Sequence, residues 1–285
     1  MTRKSLFYFA LVGLLWGIPY LLMKVAVEDF PPAAVVAGRT LIGASILIPI
    51  AIYRKQFGGA VLGFKYVAFY ALMEMIGPWI LITTAEQKIN SGLAGLLVST
   101  VPIFATIITS LRGDHSVWQF KRILGIVVGF IGLILVVGIE SLSGNSDPLS
   151  IAMVIVASMG YAYAVIMVTT NLPLVDGIAI NGLAMAITTV FWAPVAIAQW
   201  PSSISMNSAL SLIALGIFST ALAFILFFKV MAEIGPARSS LVTYLNTAIA
   251  VLLGVIILRE PLTVGIIVGL PLVLVGSYLA SKKTA

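Results

Sequence analysis

The chain has no cysteine, a single histidine and few charges, and each shortage excludes a class of function. Without cysteine there is no disulfide framework, no thiolate nucleophile and no thiolate-ligated metal. His115 alone cannot form the histidine cluster of a zinc or haem site, so no metal or cofactor is expected. Only 9% of the 285 residues are charged, against about 25% in soluble domains. Apolar residues take their place, at 61% of the chain and a mean hydropathy of +1.15. That composition cannot supply a water-facing surface, which excludes a soluble enzyme, a nucleic-acid-binding protein and a disordered tail. The net charge of +6 is therefore read as a membrane-topology signal, with no nucleic acid implied. P-loop, HExxH, GxSxG and paired-carboxylate motifs are all missing, so neither ATP drive nor hydrolysis is supported. This is the composition of an integral membrane protein.

A helix that crosses about 30 Å of hydrocarbon at a rise of 1.5 Å needs about 20 apolar residues. The charge-free runs are Ser5–Met23, Ile89–Leu111, Ile123–Ile139, Pro148–Val175, Gly177–Phe228, Ser239–Leu258 and Pro261–Ser281. Gly177–Phe228 is too long for one span and divides at the polar, proline-containing turn Trp200–Ser203. Ala33–Tyr53 and Tyr66–Ala85 each carry one internal charge, Arg39 and Glu74. Ten spans result, and the short connections leave no room for a soluble catalytic domain. The uncharged run after Arg3 and Lys4 is longer than a signal-peptide core and is read as the first span.

Basic residues orient the spans. Arg3, Lys4, Arg54, Lys55, Lys65, Arg112, Lys121, Arg122, Lys229, Arg238, Lys282 and Lys283 fall on the side of the N-terminus, and Lys88 and Arg259 on the other. The positive-inside rule then puts both termini in the cytoplasm.

The chain repeats itself. Gly125–Gly129 (GIVVG) recurs as Gly265–Gly269 (GIIVG), Leu96–Ala105 aligns with Leu241–Ala250 at an offset of 145, and Gly38 matches Gly182. Matches agreeing on a half-chain offset divide the chain into two five-helix repeats, 1–141 and 142–285. Because five is odd, the second repeat enters the membrane from the opposite side. The expected fold is an all-α membrane protein of ten transmembrane helices in two inverted repeats, with a site at their interface near mid-bilayer.

Ten spans, the segment Leu258-Arg259-Glu260-Pro261-Leu262-Thr263 with the glycines after it, Pro102 within Val101–Ala105, Trp16-Gly17 and Arg39 resemble the EamA-type branch of the drug/metabolite transporter superfamily. The resemblance covers nearly the whole chain. It departs at Gly113-Asp114, where the family often has Gly-Glu, and at Thr247, which stands opposite Pro102. It implies an inner-membrane exporter of amino acids or other small metabolites. It also implies a cavity walled by spans 1–4 and 6–9, with spans 5 and 10 peripheral.

Charges inside a span face a cavity or a partner. Glu74 lies about 13 Å into span 3 by the helical rise, where a carboxylate cannot snorkel. It is either a proton carrier or contact for a cationic group, or a structural partner for Arg39 or for backbone carbonyls. Arg39 snorkels outward, pairs with Glu74 or clamps a carboxylate. Lys24, with Glu28 four residues on, reads as an interfacial pair. Trp16 and Tyr20 share a stripe of span 1 with Lys24, and Tyr161 and Tyr163 occupy comparable depth in span 6. Trp79 in span 3, Ser99 and Thr100 in span 4, and Tyr244 and Asn246 in span 9 complete the candidates. Polar groups at such depth either line the site or join helices.

The expected partners are a small-molecule substrate, the lipid bilayer and a proton as coupling ion. A secondary exporter working by alternating access fits these features. An uncoupled facilitator or channel is the alternative, and it would leave Glu74 structural.

Overall fold

The computed structural model describes residues 3–113, 119–142, 147–234, 239 and 242–281. Asp114, His115, Arg238, Lys282 and Lys283 lie outside the described residues. Ten long helices order the described residues: α1 (Arg3–Ala26), α2 (Pro32–Tyr53), α3 (Phe64–Ala85), α4 (Ser91–Leu111), α5 (Phe120–Leu142), α6 (Pro148–Asn171), α7 (Gly177–Ala198), α8 (Met206–Ile234), α9 (Val242–Ile256) and α10 (Val264–Ser281). Seven of them, α1–α4 and α6–α8, are each long and apolar enough to cross a membrane. The other three hold the shorter apolar stretches Ile123–Leu135, Val242–Ile256 and Val264–Leu279. No strand occurs among the described residues. Hydrocarbon offers the backbone no hydrogen-bond partner, and a helix satisfies its own N–H and C=O groups locally. The chain is an all-α, multi-pass membrane protein.

Local chemistry sets the helix starts. Asp147 caps α6 by accepting from the Ser150 N–H at 2.9 Å, Asp176 caps α7 through Ile178 and Ala179, and Ser205 caps α8 through Ser208. Pro32 and Pro148 stand in first turns, where no N–H is missed. The long apolar run divides at the turn between Ala198 and Met206. A short helix, Phe57–Leu62, joins α2 to α3. Its six residues are too few to show a helical period in sequence.

Contacts respect an exchange of halves. Helix α1 packs on α8 and α9 as α6 packs on α3 and α4, while α2 pairs with α7, α4 with α9 and α5 with α10. In the α5–α10 pair the backbones touch, since a Cβ on Gly276 would collide with the backbone of Gly129. Helices α3 and α8 each contain a π-helical segment, Leu72–Ile76 and Leu215–Leu222. Moving the first by 145 residues lands it inside the second.

Candidate functional site: a one-ended cavity between the halves

A cavity of about 820 Å³ lies between the halves, within the range of small-molecule sites. Its described lining comes from α1–α4 and α6–α9 and their connections, with nothing from α5 or α10. One end reaches the exposed Pro173 in the α6–α7 turn, with Thr109, Met231 and Thr243 also in the wall, so the cavity opens there. At the other end Tyr20, Met23, Arg39 and Ile82 are buried. Beyond them Ala34, Val35, Ile89 and Leu93, none more than 1% exposed, form a dry plug.

Polar ties hold the closed end together. The Lys24 ammonium donates to the carbonyls of Glu86 at 2.6 Å and Ile89 at 2.9 Å. The expected Lys24–Glu28 pair is not formed, and Glu28 is exposed. The Glu86 carbonyl follows the last residue of α3, at the negative end of its dipole, and the Ile89 carbonyl lies in the α3–α4 connection, so the cation is drawn across to the turn that follows α3. Asp29, between α1 and α2, accepts from the Ser205 N–H at 2.9 Å. Its hydrogen bonds from Ser205 hold its carboxyl below the usual value, as those from Ser150 do for Asp147.

Within the cavity, the Arg39 guanidinium donates from Nε and Nη2 to the Thr220 hydroxyl at 3.3 and 3.1 Å. Its central carbon lies 3.8 Å from the centroid of the Trp79 ring. Glu74 stands in the π-helical segment of α3, and its Oε2 is buried without a hydrogen-bond partner. The structural pairing of Arg39 with Glu74 is not formed: among the described residues Lys88 and Asp147 make the one ion pair within 4 Å, at 3.9 Å. Ser219, in the π-helical segment of α8, is likewise buried with its hydroxyl unpartnered. The Tyr70 hydroxyl donates to Asn181 Oδ1 at 3.1 Å. Trp16 packs against Phe224 and Phe227 at centroid distances of 5.6 and 4.6 Å.

The lining obeys the repeat. Trp16 and Tyr161, Glu74 and Ser219, Trp79 and Phe224, Val98 and Thr243, and Val101 and Asn246 all reach the cavity, and each pair is 145 residues apart. Like positions in the two halves thus build its two walls.

The EamA-like transporter family model matches residues 3–138 and again 148–282. The chain belongs to the EamA-like transporter family. The uncharacterized transporter YoaV of Bacillus subtilis (strain 168) is 27% identical over 94% of this chain and 93% of its own length. The uncharacterized inner membrane transporter YedA of Escherichia coli (strain K12) is 26% identical over 95% of this chain and 90% of its own. A solved structure described as the crystal structure of a protein superposes with a TM-score of 0.65 over 98% of each chain. At 15% identity it shows the fold alone.

Of the residues singled out in the sequence, Trp16, Tyr20, Arg39, Glu74, Trp79, Tyr161 and Asn246 line the cavity. Three do not. Tyr163 is 37% exposed, packs against Phe69 and lines an apolar crevice outside the cavity. Two positions along a helix turn a side chain by about 200° at 3.6 residues per turn, so Tyr161 and Tyr163 face opposite ways. Ser99 is buried, donating to the Leu96 carbonyl at 2.6 Å while its own carbonyl accepts from Ser277. Tyr244 packs edge-on against Tyr278. Thr100 donates to the Leu97 carbonyl at 2.6 Å and is likewise outside the lining. Sequence reasoning missed Ser219, Tyr70 and Asn181. The offset of 145 applied to Glu74 would have found Ser219.

Proposed function

We propose that the chain is a secondary transporter that exports amino acids or related small zwitterionic, amphipathic metabolites across the inner membrane by alternating access. One observation carries this reading: Arg39 and Glu74 line the same cavity with opposite charge, and no ion pair within 4 Å engages either of them. Burying either charge unpaired is costly. A ligand that brings a carboxylate to Arg39 and an ammonium to Glu74 relieves both costs at once. Glu74 takes a proton when no ammonium is present, which gives a route to proton coupling. Sugar phosphates would need several cations in the wall, and Arg39 is the one Lys or Arg in the described lining. The aromatic wall of Trp16, Tyr20, Trp79 and Tyr161 favours an apolar side chain on the substrate.

Two repeats of five helices inserted in opposite senses, with both termini in the cytoplasm, fit the distribution of Lys and Arg. On that topology the cavity opens to the cytoplasm. Exchange of roles between like walls would close that end and open the other.

Efflux of an amino-acid panel from cells lacking their native exporters tests the proposal. Uphill efflux of zwitterionic amino acids, dependent on the proton gradient and lost in Arg39→Gln, is the expected result. Downhill movement alone would indicate an uncoupled facilitator. Saturable transport of sugar phosphates alone would overturn the reading.

A further inference from the structure

Glu86 is a buried acid that nothing satisfies. It is 0% exposed, and neither carboxyl oxygen has a hydrogen-bond partner. It follows the last residue of α3, and its N–H donates to the carbonyl of Ile82 at 2.9 Å. Ile82 lines the closed end of the cavity, so Glu86 stands one helical turn, about 5.4 Å, beyond that end. The cation at hand, Lys24, is bound to the backbone carbonyls of Glu86 and Ile89 and makes no ion pair with the carboxyl. Glu260, close by, shows what a structural acid looks like: it accepts three hydrogen bonds, from Ser91 and Gly92.

An unsatisfied carboxyl in a dry plug is held as the neutral acid, because its anion would have neither water nor donors. A metal ion is a poor alternative occupant, since no cluster of three potential ligands exists among the described residues. We propose that Glu86 is a proton-binding site that latches the closed end of the cavity: the acid form seals it, and loss of the proton opens it. The proposal rests on the alternating-access reading above. The titratable groups acting on Glu86 are Lys24 and Tyr20 from α1, Arg39 from α2 and Glu260 after α9. Burial pushes the Glu86 carboxyl well above the usual carboxylate range; Lys24 and Arg39 act against that shift and Glu260 with it. The closed form therefore binds the proton more tightly than a form in which water reaches Glu86. By linkage, acid favours closure of this end and alkali favours its opening.

The chain has no cysteine, so one introduced thiol reports alone. Val98 lines the cavity, and Val98→Cys can be labelled by a membrane-impermeant maleimide in right-side-out and inside-out vesicles. The ratio of outside to inside labelling rates at each pH cancels the intrinsic reactivity of the thiol. Between about pH 6 and about pH 9, a range reaching documented buried carboxyls, the ratio should rise by up to roughly tenfold per unit, the limit for one linked proton. Added Glu86→Gln should leave the ratio low and flat. Glu86→Asp, which keeps an acid if the amide fails to fold, should retain a slope with a displaced midpoint. A flat ratio with Glu86 intact, a slope that survives Glu86→Gln, or an unmoved midpoint in Glu86→Asp overturns the proposal. Labelling from both sides at a pH-independent ratio removes Glu86 and leaves alternating access standing. A thiol never reached from outside removes both.

Discussion

Glu260 and Ser91 are 169 residues apart in the chain and share two hydrogen bonds. Oε1 of the acid accepts the Ser91 N–H at 2.9 Å, and Oε2 accepts the Ser91 hydroxyl at 2.8 Å. The Gly92 N–H adds a third at 3.3 Å. First-turn N–H groups have no partner within their own helix, and the positive end of the dipole favours an anion there. Gly254 leaves the space, since a Cβ there would collide with the Glu260 carboxylate and crowd the Ser91 hydroxyl. The acid of the Leu258–Thr263 segment thus fastens the α9–α10 connection to the start of α4, in the other half of the chain.

Glu260→Ala should therefore destabilise the fold. Hydrogen bonds to charged groups contribute about 1.5–3 kcal/mol each, and losing the equivalent of one lowers Tm by roughly 3–12 °C at about 2–4 °C per kcal/mol. Thermal unfolding of the detergent-solubilised protein measures this. Gly254→Ala should give a fall in the same direction with the acid intact. An unchanged Tm in both would remove the fastening role.

Glu74→Gln keeps the shape of the side chain and removes its charge. If the substrate ammonium meets Glu74, losing a charged contact of about 1.5–3 kcal/mol lowers zwitterion affinity roughly 10- to 150-fold. Binding of amino acids to the purified protein, followed by the fluorescence of Trp16 and Trp79, reads the effect. Equal affinity in parent and variant would return Glu74 to a structural role. Ser219→Ala, at the like position of the other wall, should cost less because no net charge is lost.

Trp16→Ala should discriminate among substrates. A ring stacked in the wall is worth about 0.5–1.5 kcal/mol beyond area burial, so efflux of large apolar amino acids should fall more than that of small ones. An equal loss for both would make Trp16 a packing residue against Phe224 and Phe227.

Asp29 ties the α1–α2 connection to Ser205, and its carboxyl sits below the usual value of 3.8 because Ser205 donates to it. A carboxyl held below its unfolded value stabilises the fold above that unfolded value and loses the contribution as pH falls through the folded one. The pH dependence of Tm in the acid range should accordingly be shallower in Asp29→Asn. Curves that run parallel over the whole range would show that the tie does not couple to stability.

Topology can be read from two insertions. Alkaline phosphatase should stay inactive after Gln56, in the α2–α3 connection, and become active after Gln87, in the α3–α4 connection. The opposite pattern would invert the orientation drawn from Lys and Arg.

The sequence made the spans legible because a charge-free run of about 20 residues has one dominant physical explanation. Glu74 and Arg39 stood out for the same reason, since a charge inside such a run needs a purpose. Facing was harder. Tyr161 and Tyr163 carry the same chemistry at nearly the same depth, and only packing shows which one turns inward. Glu86 leaves no sequence signal of its own, because a count of charges cannot tell that its turn is folded beneath a plug. Lys24 was matched to a near neighbour four residues on, whereas its partners are carbonyls more than 60 residues away. The π-helical segments leave no pattern of their own in an apolar helix.

The charges of the cavity are staggered in depth. Arg39 stands at the closed end with its guanidinium against the Trp79 ring, whereas Glu74 lies five residues before Trp79 on α3, about 7.5 Å nearer the mouth by the helical rise. On the proposed reading, a zwitterion arriving from the open side travels carboxylate-foremost to reach its two contacts. When the closed end becomes the exit, the carboxylate already leads toward it. The molecule crosses without tumbling, and the group that was first into the protein is the first to meet water on the far side.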